Sequence, residues 1–155
     1  MAQRMVLFVC WGNICRSPMA ERMAESAAAE AGLDTVRFSS AGVSSEEEGS
    51  PIDPRAVAVL SRLGCRTDGH RAHRITLDEA RDADMIICAE QLHADMIMRL
   101  DPALADKLSL VTDHVPGAEP GSPLPDPWYG AETGFDDTAE TIDAALPAVL
   151  AQLRR

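Results

Sequence analysis

Apolar residues run unbroken from Met5 to Val9 and stop at Cys10, where a short polar loop containing Gly12 takes over. A continuous apolar run bounded by a turn predicts a buried strand over Met5 to Cys10. From Pro18 the spacing changes: Met19, Met23 and Ala27 recur at helical intervals, which predicts a helix over Pro18 to Ala31. In this reading Ser17 is its N-cap, Pro18 its first helical residue and Gly32 its stop. Val36 to Ser39 reads as a second strand ending in Ser40-Ala41-Gly42, and Ser44 to Pro51 as a polar loop without core-forming residues. A second helix is predicted over Pro54 to Leu63, capped by Asp53 and stopped by Gly64. Thr76 and Glu79 have the spacing of a capping box and open a short helix.

Met85 to Cys88 reads as a third strand, Glu90 to Leu100 as a helix with Leu92, Met96 and Leu100 on one face, and Leu108 to Val111 as a fourth strand. The stretch V-P-G-A-E-P-G-S-P-L-P-D-P-W-Y-G that follows cannot be regular structure, because proline removes donors and restricts its neighbours. A loop of that length is usually functional or disordered, and its two aromatics, Trp128 and Tyr129, favour function. Phe135 to Leu153 reads as a final helix that Pro147 kinks or divides.

Strands alternating with helices imply an α/β fold: a four-stranded parallel sheet flanked by helices on both faces and joined by right-handed crossovers. The chain has 155 residues, enough for one well-cored unit, so residues 1–155 are expected to be a single compact domain. Such a sheet has its crevice at the carboxyl ends of its strands, where Cys10 would sit.

Charge narrows the choice of partner. A formal net charge of -11 argues against nucleic acid, whose phosphates are bound by clustered Lys and Arg. The one basic stretch is the loop H-R-A-H-R between Gly69 and Ile75. No apolar run approaches the roughly 20 residues that span a bilayer, and no signal segment is evident, so a cytoplasmic protein without membrane contact is expected. Cysteines at 10, 15, 65 and 88 and histidines at 70, 73, 93 and 114 lack metal-ligand spacing, so no metal or other cofactor is expected. Cys65 and Cys88 are expected to be structural, and His93 and His114 to lie at the surface. The glutamates 46–48 read as a solvated loop that would repel acidic peptides.

The chemistry concentrates in the octet C-W-G-N-I-C-R-S, with the Cys10 thiol and the Arg16 guanidinium separated by five residues. A loop of that length can wrap a tetrahedral oxyanion and aim successive N–H groups inward. Arginine adds a planar fork for two phosphate oxygens, and the positive field favours the thiolate, the nucleophilic form of Cys10. A thiolate, an arginine and converging N–H groups make a site that attacks phosphate esters.

The octet, preceded by V-L-F-V and followed by P-M-A-E, resembles the low-molecular-weight protein tyrosine phosphatases, and D-P-W-Y-G resembles that family's second signature. The resemblance covers nearly the whole chain and implies a flavodoxin-like, phosphotyrosine phosphatase I-like fold and a two-step route through a cysteinyl-phosphate without metal. It implies that Cys10 attacks phosphorus while Arg16 and the loop of Trp11, Gly12, Asn13, Ile14 and Cys15 hold the phosphate. It assigns Asp126 the proton transfers, Ser17 the hydrogen bond to the nucleophile, and Asn13, Ser40 and His70 the support of the loop. Trp11, Trp128 and Tyr129 would wall the substrate cleft. The implied partners are a phosphotyrosine-containing protein or peptide and inorganic phosphate, as product and competitor, for a monomeric enzyme.

The sequence departs from the family at Trp11, at His73 where many members have arginine, at Glu90 where aspartate is common, and in the glutamate-rich loop that has no aromatic. Cys15 reads equally as core and as a reversible disulfide partner of Cys10. The alternatives are a phosphoarginine phosphatase of the same fold, or a phosphate-binding or redox-sensing module without useful turnover. Ile14 and the Trp128-Tyr129 pair favour a phenyl ring as substrate. The lack of a second thiol after Cys88 disfavours arsenate reduction.

Overall fold

The computed structural model describes residues 3–130 and 133–154, the side chain of Tyr129 excepted. Four strands, β1 (Arg4–Cys10), β2 (Val36–Gly42), β3 (Met85–Cys88) and β4 (Leu108–Leu110), form a sheet in the order β2-β1-β3-β4. All three pairings are parallel. Five α-helices accompany them: α1 (Arg16–Glu30), α2 (Pro54–Arg62), α3 (Leu77–Asp82), α4 (Gln91–Leu100) and α5 (Thr133–Leu153). This is the single α/β unit with a four-stranded parallel sheet that the apolar pattern predicts.

From Met5 onward strand β1 is apolar, because both of its faces are covered beyond the exposed Arg4 at its start. Val6, Phe8 and Cys10 belong to the core cluster built with α1, α2 and α5, whereas Leu7 and Val9 belong to the one built with α3 and α4. Successive strand side chains point to opposite faces, and with both faces covered every position from Val6 to Cys10 is buried. The same alternation delivers Cys10 to the α1 side at the strand's carboxyl end. The chain leaves β1 toward β2 on one side and continues to β3 on the other, so the switch point lies beside Cys10.

Helix ends follow their capping residues. Asp53 Oδ1 accepts the Arg55 N–H at 2.8 Å, and Thr76 and Glu79 form the reciprocal capping box. Gly32 and Gly64 take φ of 70° and 77°, and each is flanked by the paired bonds that close a helix with a left-handed residue.

Four expectations need correction. Helix α1 starts at Arg16 rather than Pro18, and Cys15 occupies the N-cap without a side-chain bond. Ser17 cannot cap because its hydroxyl turns into the loop; Pro18 is still tolerated, since a first-turn N–H has no helical acceptor to lose. Helix α4 buries His93, Ala94 and Ile97, leaving Leu92 and Leu100 each 49% exposed. The phase is set by Glu90, which points at Arg16: positions 93, 94 and 97 follow it on the same helical face. His93 is therefore core rather than surface, and His114 is also buried, with Nε2 2.9 Å from Ser109 Oγ. Finally, of the two alternatives at Pro147 the division falls away: α5 passes through it as one helix, and Ile142, Leu146, Val149 and Leu150 on both sides of it share one core cluster.

Candidate active site

The loop from Cys10 to Cys15 joins β1 to α1 in five residues, which demands one unusual backbone angle. Asn13 takes it, with φ of 61°, alone among the described non-glycine residues. Asparagine tolerates that region better than most residues, yet the conformation still has to be supported. Asn13 Nδ2 donates to Ser17 Oγ at 2.9 Å and to Ser40 Oγ at 3.0 Å. Its Oδ1 accepts the His73 N–H at 3.1 Å, and its carbonyl lies 2.7 Å from His70 Nε2. A carbonyl only accepts, so His70 carries its proton on Nε2; burial lowers the pKa of this ring and favours the neutral form.

The network continues inward. Ser40 donates to Glu21 Oε1 at 2.7 Å, and Glu21 Oε2 accepts from buried Arg22 Nε at 2.8 Å. His73 is fastened to Glu79 at 2.8 Å, a bond that raises its pKa. Ser17 Oγ accepts from Asn13, which leaves its hydrogen for Cys10 Sγ, 3.0 Å away; the Asn13 N–H reaches the same sulfur at 3.3 Å. Two donors thus converge on the thiol. Among the described residues the N–H groups of Gly12, Ile14 and Cys15 have no acceptor on the protein, although all three residues line the cleft. Free N–H groups at a strand-to-helix turn are the donors an anion needs.

Gly42 lets the loop lie this close to β2. A Cβ there would stand 2.7 Å from the Trp11 carbonyl oxygen, which is backbone and cannot swing away. Gly42→Ala is expected to cost about 1–3 kcal/mol of stability, as overpacking does, and to lower turnover more than a surface substitution of equal ΔΔG. Urea unfolding and aryl phosphate kinetics on one preparation check this.

Arg16 is only 3% exposed. Its Nη1 donates to Glu90 Oε2 at 2.7 Å and to the Leu124 carbonyl at 2.6 Å, and Nη2 stands 3.6 Å from Asp126 Oδ2. Asp126 caps a single 3-10 turn over Pro127–Tyr129, its Oδ1 accepting the Trp128 N–H at 3.0 Å while Oδ2 faces Arg16. Trp128 rests on Arg55, whose guanidinium is 5.2 Å from the ring centroid and is paired with Asp53. The Asp53 N–H donates to the Ile14 carbonyl at 2.9 Å, so one short path ties the loop to the cleft wall.

Cys10, Trp11, Gly12, Ile14, Cys15, Arg16, Asp126 and Trp128 surround one cleft of about 450 Å³, joined by Glu46 and Glu47. Asn13, Ser17, Ser40 and His70 stand behind it as supports. Tyr129's side chain lies outside the described residues. Cys15 is a buried free thiol whose pKa is pushed up by burial and then by the Asp53 carboxylate. Sequence reasoning left out Glu90, Glu21, Arg22 and His73 as supports. The signal for Glu90 was its place just after β3, but a glutamate inside helix α1 gave no sign of pointing inward. Among the described residues, no group of three or more His, Cys, Asp or Glu is placed to hold a metal ion. Nor is any helix long and apolar enough to cross a membrane.

A cysteine loop at the switch point of a parallel sheet, with Arg16 and free N–H groups around it, suits the binding and attack of a phosphate ester, and comparison with known proteins agrees. The sequence profile described as low molecular weight phosphotyrosine protein phosphatase matches residues 5–155, and the chain belongs to that family. It is 37% identical over 153 residues to a low molecular weight protein-tyrosine-phosphatase of Streptomyces coelicolor, covering 96% of this chain and 93% of that one. Among solved structures, a protein tyrosine phosphatase of Entamoeba histolytica with Hepes in its active site superposes with a TM-score of 0.91. It is 25% identical and covers 98% of this chain and 97% of that one. The YwlE arginine phosphatase, solved with a phosphorylated active site serine, superposes at 0.86 with 27% identity, covering 97% and 96%.

His93 adds a pH dependence to the fold. Burial and then the charge of Arg16 lower its pKa to about 4. Below the unfolded value of about 6.5 the unfolded chain binds a proton that the folded chain refuses, so stability falls as pH drops from there toward 4, by roughly 3 kcal/mol. His70 acts in the same direction, whereas His73, with its pKa raised, stabilises at low pH and loses that contribution on the alkaline side. Urea titrations should show a shallower acid limb for His93→Gln than for the unsubstituted protein.

Proposed function

We propose that this protein hydrolyses phosphotyrosine in peptides or proteins by a cysteinyl-phosphate route in the cleft at the end of β1. The observation that supports it most is the convergence on one cleft of Cys10, Arg16 and Asp126, three groups with distinct tasks in transferring a phosphoryl group to sulfur and then to water. The Cys10 thiolate attacks phosphorus in line, while the Arg16 fork and the free loop N–H groups hold the non-bridging oxygens. As the P–O bond to the ring breaks, Asp126 gives its proton to the departing phenolate. A water then attacks the S–P bond and loses its proton to Asp126; phosphate leaves, and the Ser17 hydroxyl and the Asn13 N–H receive the regenerated thiolate.

Arg16 enters this reaction already aimed, because Glu90 and the Leu124 carbonyl hold one side of its guanidinium. Trp11 and Trp128, 37% and 40% exposed at the mouth, suit an aryl group above the phosphate. The physiological phosphoprotein is a monomeric enzyme's substrate in this reading. Turnover of phosphotyrosine, phosphoserine and phosphoarginine peptides by one preparation tests it: phosphotyrosine should be far the best. Preference for phosphoarginine would place the protein with YwlE, an arginine phosphatase, and phosphotyrosine binding without release of phosphate would leave a recognition module.

A further inference from the structure

A second cavity, of about 660 Å³, shares no lining residue with the cleft. We propose that it binds a small organic anion, a phosphate or carboxylate group on an apolar body, and that its occupancy is transmitted to the Cys10 loop through Asn13.

The volume falls in the range of small-molecule sites. Ala28, Leu33 and Phe38 give the cavity an apolar wall, and in a chain of net charge -11 its lining has four arginines and two histidines against three carboxylates. Two of those carboxylates are engaged: Glu21 holds Arg22 and Ser40, and Glu25 pairs with Arg66 at 3.0 Å. The third, Asp34, is exposed. The side chains of Arg37 and Arg71 make no ion pair or hydrogen bond among the described residues, and both residues line the cavity. Unpaired surface arginines are ordinarily just solvated. Here they stand at a concavity with an apolar wall and a buried arginine, Arg22, whose Nη2 has no hydrogen-bond acceptor among the described residues. Planar forks matched to carboxylate or phosphate, beside apolar surface, select an amphipathic anion over an inorganic one.

The coupling rests on shared walls. Ser40, His70 and His73 line this cavity, and each bonds Asn13, at 3.0, 2.7 and 3.1 Å. Asn13 is the residue whose strained angle gives the loop its shape. An anion drawn to Arg71 acts on the residue next to His70, so the loop senses the cavity without direct contact with the ligand.

The test uses the full chain, uniformly ¹⁵N-labelled, with saturating inorganic phosphate occupying the cleft and 2-naphthoate as probe. The expected result is saturable shifts at Arg37 and at residues 69–73, together with the Asn13 side-chain amide. Arg37→Glu/Arg71→Glu should remove them, and the milder Arg37→Gln/Arg71→Gln should weaken them. In turnover of an aryl phosphate, 2-naphthoate should change kcat by about twofold or more with KM unchanged, and the double variants should keep basal activity but lose the response. Shifts confined to the Cys10 loop, shifts that do not saturate, or cavity shifts that leave Asn13 unmoved would overturn the proposal. Because binding is read without turnover, its failure is distinguishable from failure of the catalytic reading.

Discussion

Cys10→Ser is expected to abolish hydrolysis of an aryl phosphate while preserving phosphate binding. The substitution is nearly isosteric, and the donors that face the sulfur, Ser17 Oγ at 3.0 Å and the Asn13 N–H at 3.3 Å, still find an acceptor. Arg16 and the free N–H groups of the loop are untouched, so the anion site survives. What is lost is the nucleophile, because a serine hydroxyl has no adjacent base to take its proton: Ser17 and Asn13 are donors toward that atom. Steady-state kinetics and phosphate calorimetry on the same protein separate the two outcomes. Activity within an order of magnitude of the unsubstituted chain would sink Cys10 as nucleophile; loss of phosphate binding as well would show that the variant had lost the loop.

The second large effect is at Asp126. Asp126→Ala should slow turnover by roughly 10²–10⁴-fold, the usual contribution of a positioned proton donor. The carboxylate also caps the turn that carries Trp128, so alanine alone leaves two explanations. Asp126→Asn resolves them, since its amide oxygen can still accept the Trp128 N–H although it has no proton to give to a phenolate. Both variants should be slowed alike, and the loss should shrink for esters whose departing phenolate is a weak base. A near-normal Asn variant beside a crippled Ala variant would make Asp126 a capping residue and remove it from the chemistry.

Much of this was legible in the chain because the governing signals are local. The buried β1 run, the Asp53 cap, the Thr76 and Glu79 box and the glycine stops at 32 and 64 each need only a few neighbouring residues, and a parallel sheet follows from the alternation of strands and helices. The octet was also readable, since spacing alone puts a thiol and a guanidinium on one loop, whereas the part given to Asp126 came from the resemblance of D-P-W-Y-G to the family's second signature. What was illegible depended on orientation. Leu92, Met96 and Leu100 make as good an apolar stripe as Ala94 and Ile97, and the choice between them was made by a tertiary bond from Glu90 to Arg16. Ser17 looked like a cap because local rules favour one there; a sulfur and an amide from the same loop outbid the helix for its hydroxyl. Glu21 and Arg22 sit in a helix whose apolar spacing marked Met19, Met23 and Ala27, and a paired charge carries no sequence signature of burial.

The supports of Asn13 lie far from it along the chain: Ser40 is 27 residues away and His70 is 57. The octet from Cys10 to Ser17 is consequently not a portable unit. Grafted onto another strand-to-helix junction it would bring a thiol and an arginine but not the angle at Asn13 that orders them, and a transplant would need β2 with Gly42 and the histidine loop as well. The smallest piece of this protein that keeps the Cys10 loop in its working shape is therefore set by three separate stretches of chain meeting at one asparagine.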